Sequence, residues 1–510
     1  MVKNWIILLS TTVSVAAGAQ PAAQPNSKAQ ATTAVTPTAT TPAPTAPPIV
    51  LNQKKVAELA LSQGYKTKQV NLKYQQLKLP LVETLAKYDW TLDVATGLQI
   101  DKSAHLLTSP NKNDDRYDQY NTTFGVKKPF SSGTLLGVNA SRLSQRQDAA
   151  TSTAPDEQTL DNAGISLEQS LLGNSFGIAD RATLNSADYT YKAQEVQRAN
   201  ELEDVVLEAI RQYWATYVAQ ENFKESVASR DRYKKLVDSV KRKSSVGYAN
   251  PGELTQAQAE YEVREQTVKV TSTAYLTGLE NLIFLLDLPP GSEIKFDVSS
   301  ELPPVPKLAE LKVEELRAIR SQKLKVQAAD ENLTAFKSNS YPTLNLVGKA
   351  YTSGVDESAE GSYSELMSGK KPLYYIGLRF NYYFGSDVQN ERIIASKLQK
   401  DLEDINLRQA TLNATDVEGQ NARRVQAFYA VAISAEKARS FREKAVNELT
   451  RTFNQGRTDI SILIDAMNKF FNSEVIYSQA VGDYQTALNE WAASRDELIP
   501  DDKGEQANVK

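Results

Sequence analysis

The chain has 510 residues, with 58 Lys and Arg against 62 Asp and Glu, a single His and no Cys. Without cysteine there is no disulfide framework, thiolate metal site or Cys nucleophile, and His105 alone cannot build a His-rich metal centre, so neither cofactor nor metal is expected. A formal charge of −4 gives no basic footprint for nucleic acid.

Residues 1–19 read as a signal peptide. Met1-Val2-Lys3-Asn4 is a short basic start, Trp5 to Ala19 is uncharged, and Ala17-Gly18-Ala19 supplies a small-x-small cleavage pattern before Gln20. Residues 20–51, rich in Pro, Ala and Thr, cannot bury enough apolar surface to offset ordering and read as a disordered tether. Beyond it no segment offers 18 consecutive apolar residues, so any membrane insertion must be as a β-barrel.

Lys54 to about Leu85 reads as a helix interrupted near its end by Pro80. Next, Trp90, Leu92, Val94, Leu98 and Ile100 alternate with polar or small residues, a strand long enough for a tilted membrane crossing. Thr122, Phe124 and Val126, then Ser131-Ser132-Gly133, then Leu136, Val138 and Ala140, outline an extra hairpin, either more barrel strands or an outer loop. A strand over 163–171 leads into a proline-free helical run at about 180–246, where Leu202, Val205, Val206, Ala209, Tyr213 and Tyr217 recur at spacings of 3–4. A turn at Gly247 and a second helix to about 287 complete this unit.

The order then repeats. A helix at 310–338 precedes strands at about 343–385, among them Ile376, Leu378, Phe380, Tyr382 and Phe384, then a helical run at 388–453, a turn at Gly456 and a last helix at 462–498. Gly247 and Gly456 are 209 residues apart, and at the same shift Tyr275 meets Tyr484 and Leu279 meets Leu488. Thr91-Leu92-Asp93-Val94 answers Thr343-Leu344-Asn345-Leu346. The halves are 52–300 (strands about 90–171, helices about 180–287) and 301–500 (strands about 343–385, helices about 388–498), with a polar tail at 501–510. The two short helices of each half together match its long one, which predicts a wall of uniform height. One anchor disagrees: Trp214 lies 33 residues before Gly247, whereas Tyr429 lies 27 before Gly456. Either the second arm is two turns shorter or the pairing is wrong.

The duplicated order, the strand entries Trp90-Thr91-Leu92-Asp93-Val94 and Tyr341-Pro342-Thr343-Leu344-Asn345-Leu346, the exits Gln169-Ser170-Leu171-Leu172 and Tyr383-Phe384-Gly385, and both glycine turns resemble the TolC family of outer-membrane efflux and secretion channels. The resemblance covers about 52–500. It implies a mainly α chain with a membrane β-barrel portion, in which three copies share a barrel continued by a long α-helical coiled-coil tunnel. It also implies a homotrimer in the Gram-negative outer membrane, extending into the periplasm. There it would contact outer-membrane lipid, a periplasmic adaptor (membrane fusion) protein and an inner-membrane transporter of a tripartite pump or type I secretion system.

The resemblance further implies an acidic aperture just past the second turn. Asp465 matches the family pattern, Ile462 stands where an Asp is typical, and Asp459 is nearby. Three Asp465 side chains at a constriction would hold cations; the bland alternative is an exposed Asp near a helix N-terminus. A hydrogen-bonded tip latch maps onto Phe453, Thr458 and Glu253, with the hydroxyl missing and Arg457 one place off. Gly247 and Gly456 would mark adaptor docking. No phosphate loop, HExxH or nucleophile elbow appears, so no enzyme is expected. The competing reading is a periplasmic coiled-coil adaptor or scaffold without a barrel; strands with one lipid face and one water face would decide against it.

Overall fold

The computed structural model describes residues 48–101, 116–148, 157–247, 250–299, 301–307, 310–382, 384–385 and 387–499. The expected signal peptide, most of the expected tether, His105, Tyr383 and the polar tail lie outside the described residues. The expected tether does not reach residue 51. Ile49–Leu51 is a strand (β1) with Leu51 fully buried, paired in parallel with the later Ile294–Phe296.

The single helix expected over 54–85 is three: α1 (Gln53–Ser62), α2 (Tyr65–Gln76) and α3 (Leu79–Ala86). Asn52 caps α1 by accepting from the Lys55 amide at 2.8 Å. The first break comes at Gly64, where Thr67 Oγ1 returns a bond to the Ala60 carbonyl at 2.6 Å. Pro80 sits in the first turn of α3, where its missing N–H costs nothing, so it starts a helix rather than interrupting one.

Four strands follow: β2 (Thr91–Asp101), β3 (Arg116–Pro129), β4 (Thr134–Asp148) and β5 (Glu157–Ser170). The helix α4 (Ile178–Ser245) then runs 68 residues, about 100 Å, and α5 (Glu253–Leu285) returns alongside it. After β6 (Ile294–Phe296), Pro303, Pro304 and Pro306 lie outside any helix or strand, and α6 (Arg317–Asn339) starts seven residues later than the expected Glu310. β7 (Thr343–Asp356), a short helix α7 (Ala359–Ser368) that periodicity did not reveal, and β8 (Pro372–Asn381) precede α8 (Asp387–Asn454) and α9 (Ile460–Ala493).

The two long helices are equal at 68 residues each and start 209 positions apart, the same shift as the glycine turns. No arm is shortened; the pairing of Trp214 with Tyr429 is the error. The summed lengths of the shorter helices are not equal, because α6 is shorter than expected and the first half's opening helix is broken.

All long strands form one antiparallel sheet in the order β2-β3-β4-β5-β7-β8. The extra hairpin is therefore inside the sheet. No helix is long and apolar enough to cross a membrane among the described residues.

The apolar core is distributed along the helices. Midway, Leu51, Val56, Val206, Ile210, Tyr213 and Leu282 pack α1, α4 and α5 around the small β1–β6 pair. Nearby, buried Arg317 at the head of α6 pairs with buried Glu203 of α4 and donates to the Ile499 carbonyl at 2.7 Å, while Glu203 accepts from the Leu498 amide at 2.9 Å. Burial pushes the Glu203 carboxyl up to about 7, against the pull of the Leu498 and Ile499 amides and of Arg317. This pair ties both repeats to the end of α9.

Candidate functional site

Two regions concern function: the sheet and the opposite end of the helices. In the sheet, register fixes the faces. Leu92, Val126, Val138, Ile165, Ala350 and Tyr374 form one row across all six strands, each opposite the next. Leu92, Val138, Ile165 and Tyr374 in this row are exposed in the single chain, as are Val94, Phe124, Leu167 and Ile376 beside them. The opposite face carries Lys127 against Asp93 at 3.3 Å, and Glu168 accepts from Asn345 Nδ2 at 2.7 Å and from Arg379 Nη1 at 3.1 Å. One face is an apolar band and the other is charged and polar, the alternation of a barrel wall between lipid and water. A sandwich would cover the apolar face with a second layer. Among the described residues only its far end is covered, by α7, whose Ser362 donates to the Gly354 carbonyl at 2.9 Å.

The sheet joins α4 through a tight corner. Asn174 and Phe176 hold positive φ, and Asn174 Oδ1 accepts from the Asp180 amide at 3.1 Å.

At the far end, α4 turns at Gly247 and α8 at Gly456, with φ of 72° and 75°. This left-handed conformation is open to Gly at little cost and strained for other residues, which is why glycine punctuates both arms. The two turns are held by a buried cluster of Tyr233, Val240, Phe453, Leu463, Met467 and Phe470. Phe453 is thus a packing residue of the tip core, 3% exposed.

The sequence-derived site residues fall in two groups. Asp459 is the N-cap of α9, accepting from the Ser461 amide at 2.8 Å, and these bonds to Ser461 hold its carboxyl below the usual range. Ile462 and Asp465 lie exposed on α9, but Asp465 is paired with Lys469, one turn on, at 2.7 Å. Any acidic ring at Asp465 is therefore partly neutralised by its own helix. Of the latch residues, Glu253 accepts from Asn250 Nδ2 at 2.6 Å and Thr458 Oγ1 lies 2.7 Å from Thr452 Oγ1. No bond joins Glu253 to Arg457 among the described residues.

The bonds that do tie the α4–α5 pair to the α8–α9 pair escaped the sequence reading. Lys243 Nζ donates to the Phe453 carbonyl at 2.5 Å and sits 3.8 Å from the centre of that ring. Tyr233 Oη donates to Asn468 Oδ1 at 2.6 Å, and Arg264 donates to the same oxygen at 2.8 Å. Burial pushes the Tyr233 phenol well above its usual range, so it stays a donor. Arg232 donates to buried Glu474 at 2.8 Å. The signal lay in basic and aromatic residues at helical spacing on facing arms, which a sequence cannot place opposite one another.

No protein-family model matches the sequence, and no curated protein does. Solved structures do. The CmeC outer membrane channel of Campylobacter jejuni superposes with a TM-score of 0.66 at 15% identity, over 88% of this chain and 86% of that one. The chain has the TolC-type outer-membrane-channel fold. The VceC outer membrane protein of Vibrio cholerae agrees with a TM-score of 0.63 at 13% identity, over 87% of this chain and 96% of that one. The open-state MtrE channel of Neisseria gonorrhoeae does so at 0.63 and 13%, over 89% and 91%. In this channel fold the sheet is the barrel segment, and α4, α5, α8 and α9 are the helical segment, with the glycine turns at its tip.

Proposed function

We propose that this chain is the protomer of a passive, trimeric exit duct in the Gram-negative outer membrane, serving a tripartite efflux pump or type I secretion system. The observation that carries the reading is the sheet: an apolar band on one face, a polar face opposite, and 68-residue helices leaving the same end. The competing adaptor or scaffold would have no use for an exposed apolar band on a sheet.

The trimer draws support from what one chain leaves unpaired. No described strand pairs with the outer edge of β2 or β8, and unpaired edges do not persist in lipid. On α8, Leu398, Leu402, Ile405 and Leu412 are exposed at heptad-like spacing, a seam that wants another helix. The closed periplasmic end would be the tip, opened when an adaptor and an inner-membrane transporter engage the glycine turns. Cargo is selected by the transporter, since a duct reads only size and charge.

The test is fractionation. The protein is expected in outer-membrane fractions as a trimer that migrates intact in mild detergent and falls to monomer on boiling. A soluble periplasmic monomer would sink the duct.

A further inference from the structure

Each repeat begins its strands with the same entry and ends them at the start of a 68-residue helix, yet they contribute unequally. The second supplies β7 and β8, and the first supplies β2 to β5. The surplus is the hairpin β3–β4, which the second repeat lacks. Two strands per repeat in a trimer would close a barrel of twelve. We infer that the hairpin is part of the membrane wall and that three copies of this chain close a barrel of eighteen strands, with a correspondingly wider pore. The inference rests on the trimeric duct proposed above and concerns the build of its membrane segment.

Three observations carry it. First, the hairpin is central rather than peripheral: β3 and β4 stand between β2 and β5 with in-register pairing over 11, 14 and 13 residue pairs. Second, the apolar face runs through it without a gap. Phe124 and Val126 on β3, and Leu136 and Val138 on β4, fill the rows between Leu92 on one side and Ile165 and Leu167 on the other. An outer loop above the membrane would need no such band. Third, its turn is anchored to the barrel–tunnel corner. The Ser170 amide donates to the Gly133 carbonyl at 3.1 Å, and Gln169 Nε2 donates to the Ser132 carbonyl at 3.0 Å. A side-chain carbon at Gly177 would fall 1.9 Å from the Ser131 carbonyl oxygen. The hairpin therefore starts at the same height as the other strands.

Closure is consistent with six strands per copy. Strand directions alternate through the sheet, so β8 of one copy meets β2 of the next in antiparallel sense, and a second copy is the occupant both edges fit. With strands about 4.8 Å apart and tilted about 40°, eighteen strands give a backbone diameter of about 36 Å, against about 24 Å for twelve. Barrels of 16–18 strands enclose an aqueous channel. The membrane segment is then not the constriction, and size selection falls to the helical tip.

The chain has no native Cys, so single introduced thiols are unique reporters. In the purified trimer in lipid bilayers, a fluorophore on Phe124→Cys or Val138→Cys should lose most of its emission to brominated lipid, while Asn139→Cys, on the opposite face, should be spared and should react with a membrane-impermeant maleimide. Electron cryomicroscopy of the unmodified trimer should count eighteen strands. A trimeric outer-membrane channel whose ring has twelve strands, with all three thiols reacting alike from water, would overturn the wide barrel and leave the duct standing. A soluble monomer would overturn both.

Discussion

Asp465 is the residue on which the resemblance placed the most weight, and its surroundings change the expected result. Because Lys469 lies 2.7 Å away on the same helix, Asp465→Asn removes a negative charge and also frees a positive one. The reversal potential under a salt gradient should move away from cations, and Asp465→Asn with Lys469→Met should move it less. Unchanged selectivity in the single variant would remove Asp465 from the aperture. Glu474 gives a second prediction. Burial, then a hydrogen bond that protonated Glu474 donates to Glu225, raises its carboxyl to about 8 despite Arg232. A proton held in the folded state but lost from the unfolded one between about pH 4.5 and 8 makes stability fall as pH rises through that range, by at most about 1.4 kcal/mol per pH unit. Glu474→Gln should flatten that slope in thermal unfolding measured from pH 5 to 8; an unaltered slope would show that the proton is not held there.

At the scale of elements, the long helices were legible because apolar residues recur at 3–4 spacing with no proline to stop them. Their near-equal length followed from the expected bounds, 180–246 and 388–453, and the structure gives both as 68 residues. The strands were equally legible, down to the hairpin. What a period of two cannot reveal is that the two repeats share one sheet: β5 pairs with β7 from Ser170–Asn345 to Thr159–Asp356, across the whole intervening helical arm. The break at Gly64 and the helix α7 were missed because each is short and decided by local bonds, such as Ser358 accepting from the Gly361 amide at 3.0 Å. The glycine turns were read correctly, and their geometry yields a prediction. Nothing lies within 4 Å of a side-chain carbon built at Gly247 or Gly456, so a larger residue there meets no clash, only backbone strain of about 1–3 kcal/mol. Gly456→Val should leave trimer assembly intact and weaken capture of the adaptor in pulldowns. Capture at wild-type level would argue against docking at this turn.

For the whole molecule, no strand among the described residues pairs with the outer edge of β2 or β8, and α8 carries an exposed apolar seam. Leu402→Glu places a charge in the middle of that seam, 48% exposed in one chain but enclosed if three assemble. Boiling-sensitive trimers should be lost or strongly reduced in gels, with secondary structure by circular dichroism preserved; full-strength trimers would mean that α8 faces water. Arg317 holds three partners at once, Glu203, Asp496 Oδ2 through its amide at 2.6 Å and the Ile499 carbonyl, so that α4, α6 and the segment after α9 are fastened together.

By itself the sequence determined the repeat, the helix–strand order, the absence of cysteine and the two turns, because each is written in local periodicity or composition. Tertiary structure alone decided which bonds fasten the tip, that Phe453 is buried in the tip core and accepts from Lys243, and that β5 pairs with β7 to join the strands of both repeats in one sheet. Those outcomes depend on residues more than 100 positions apart meeting across helix and sheet faces, and a one-dimensional pattern holds no record of which faces meet.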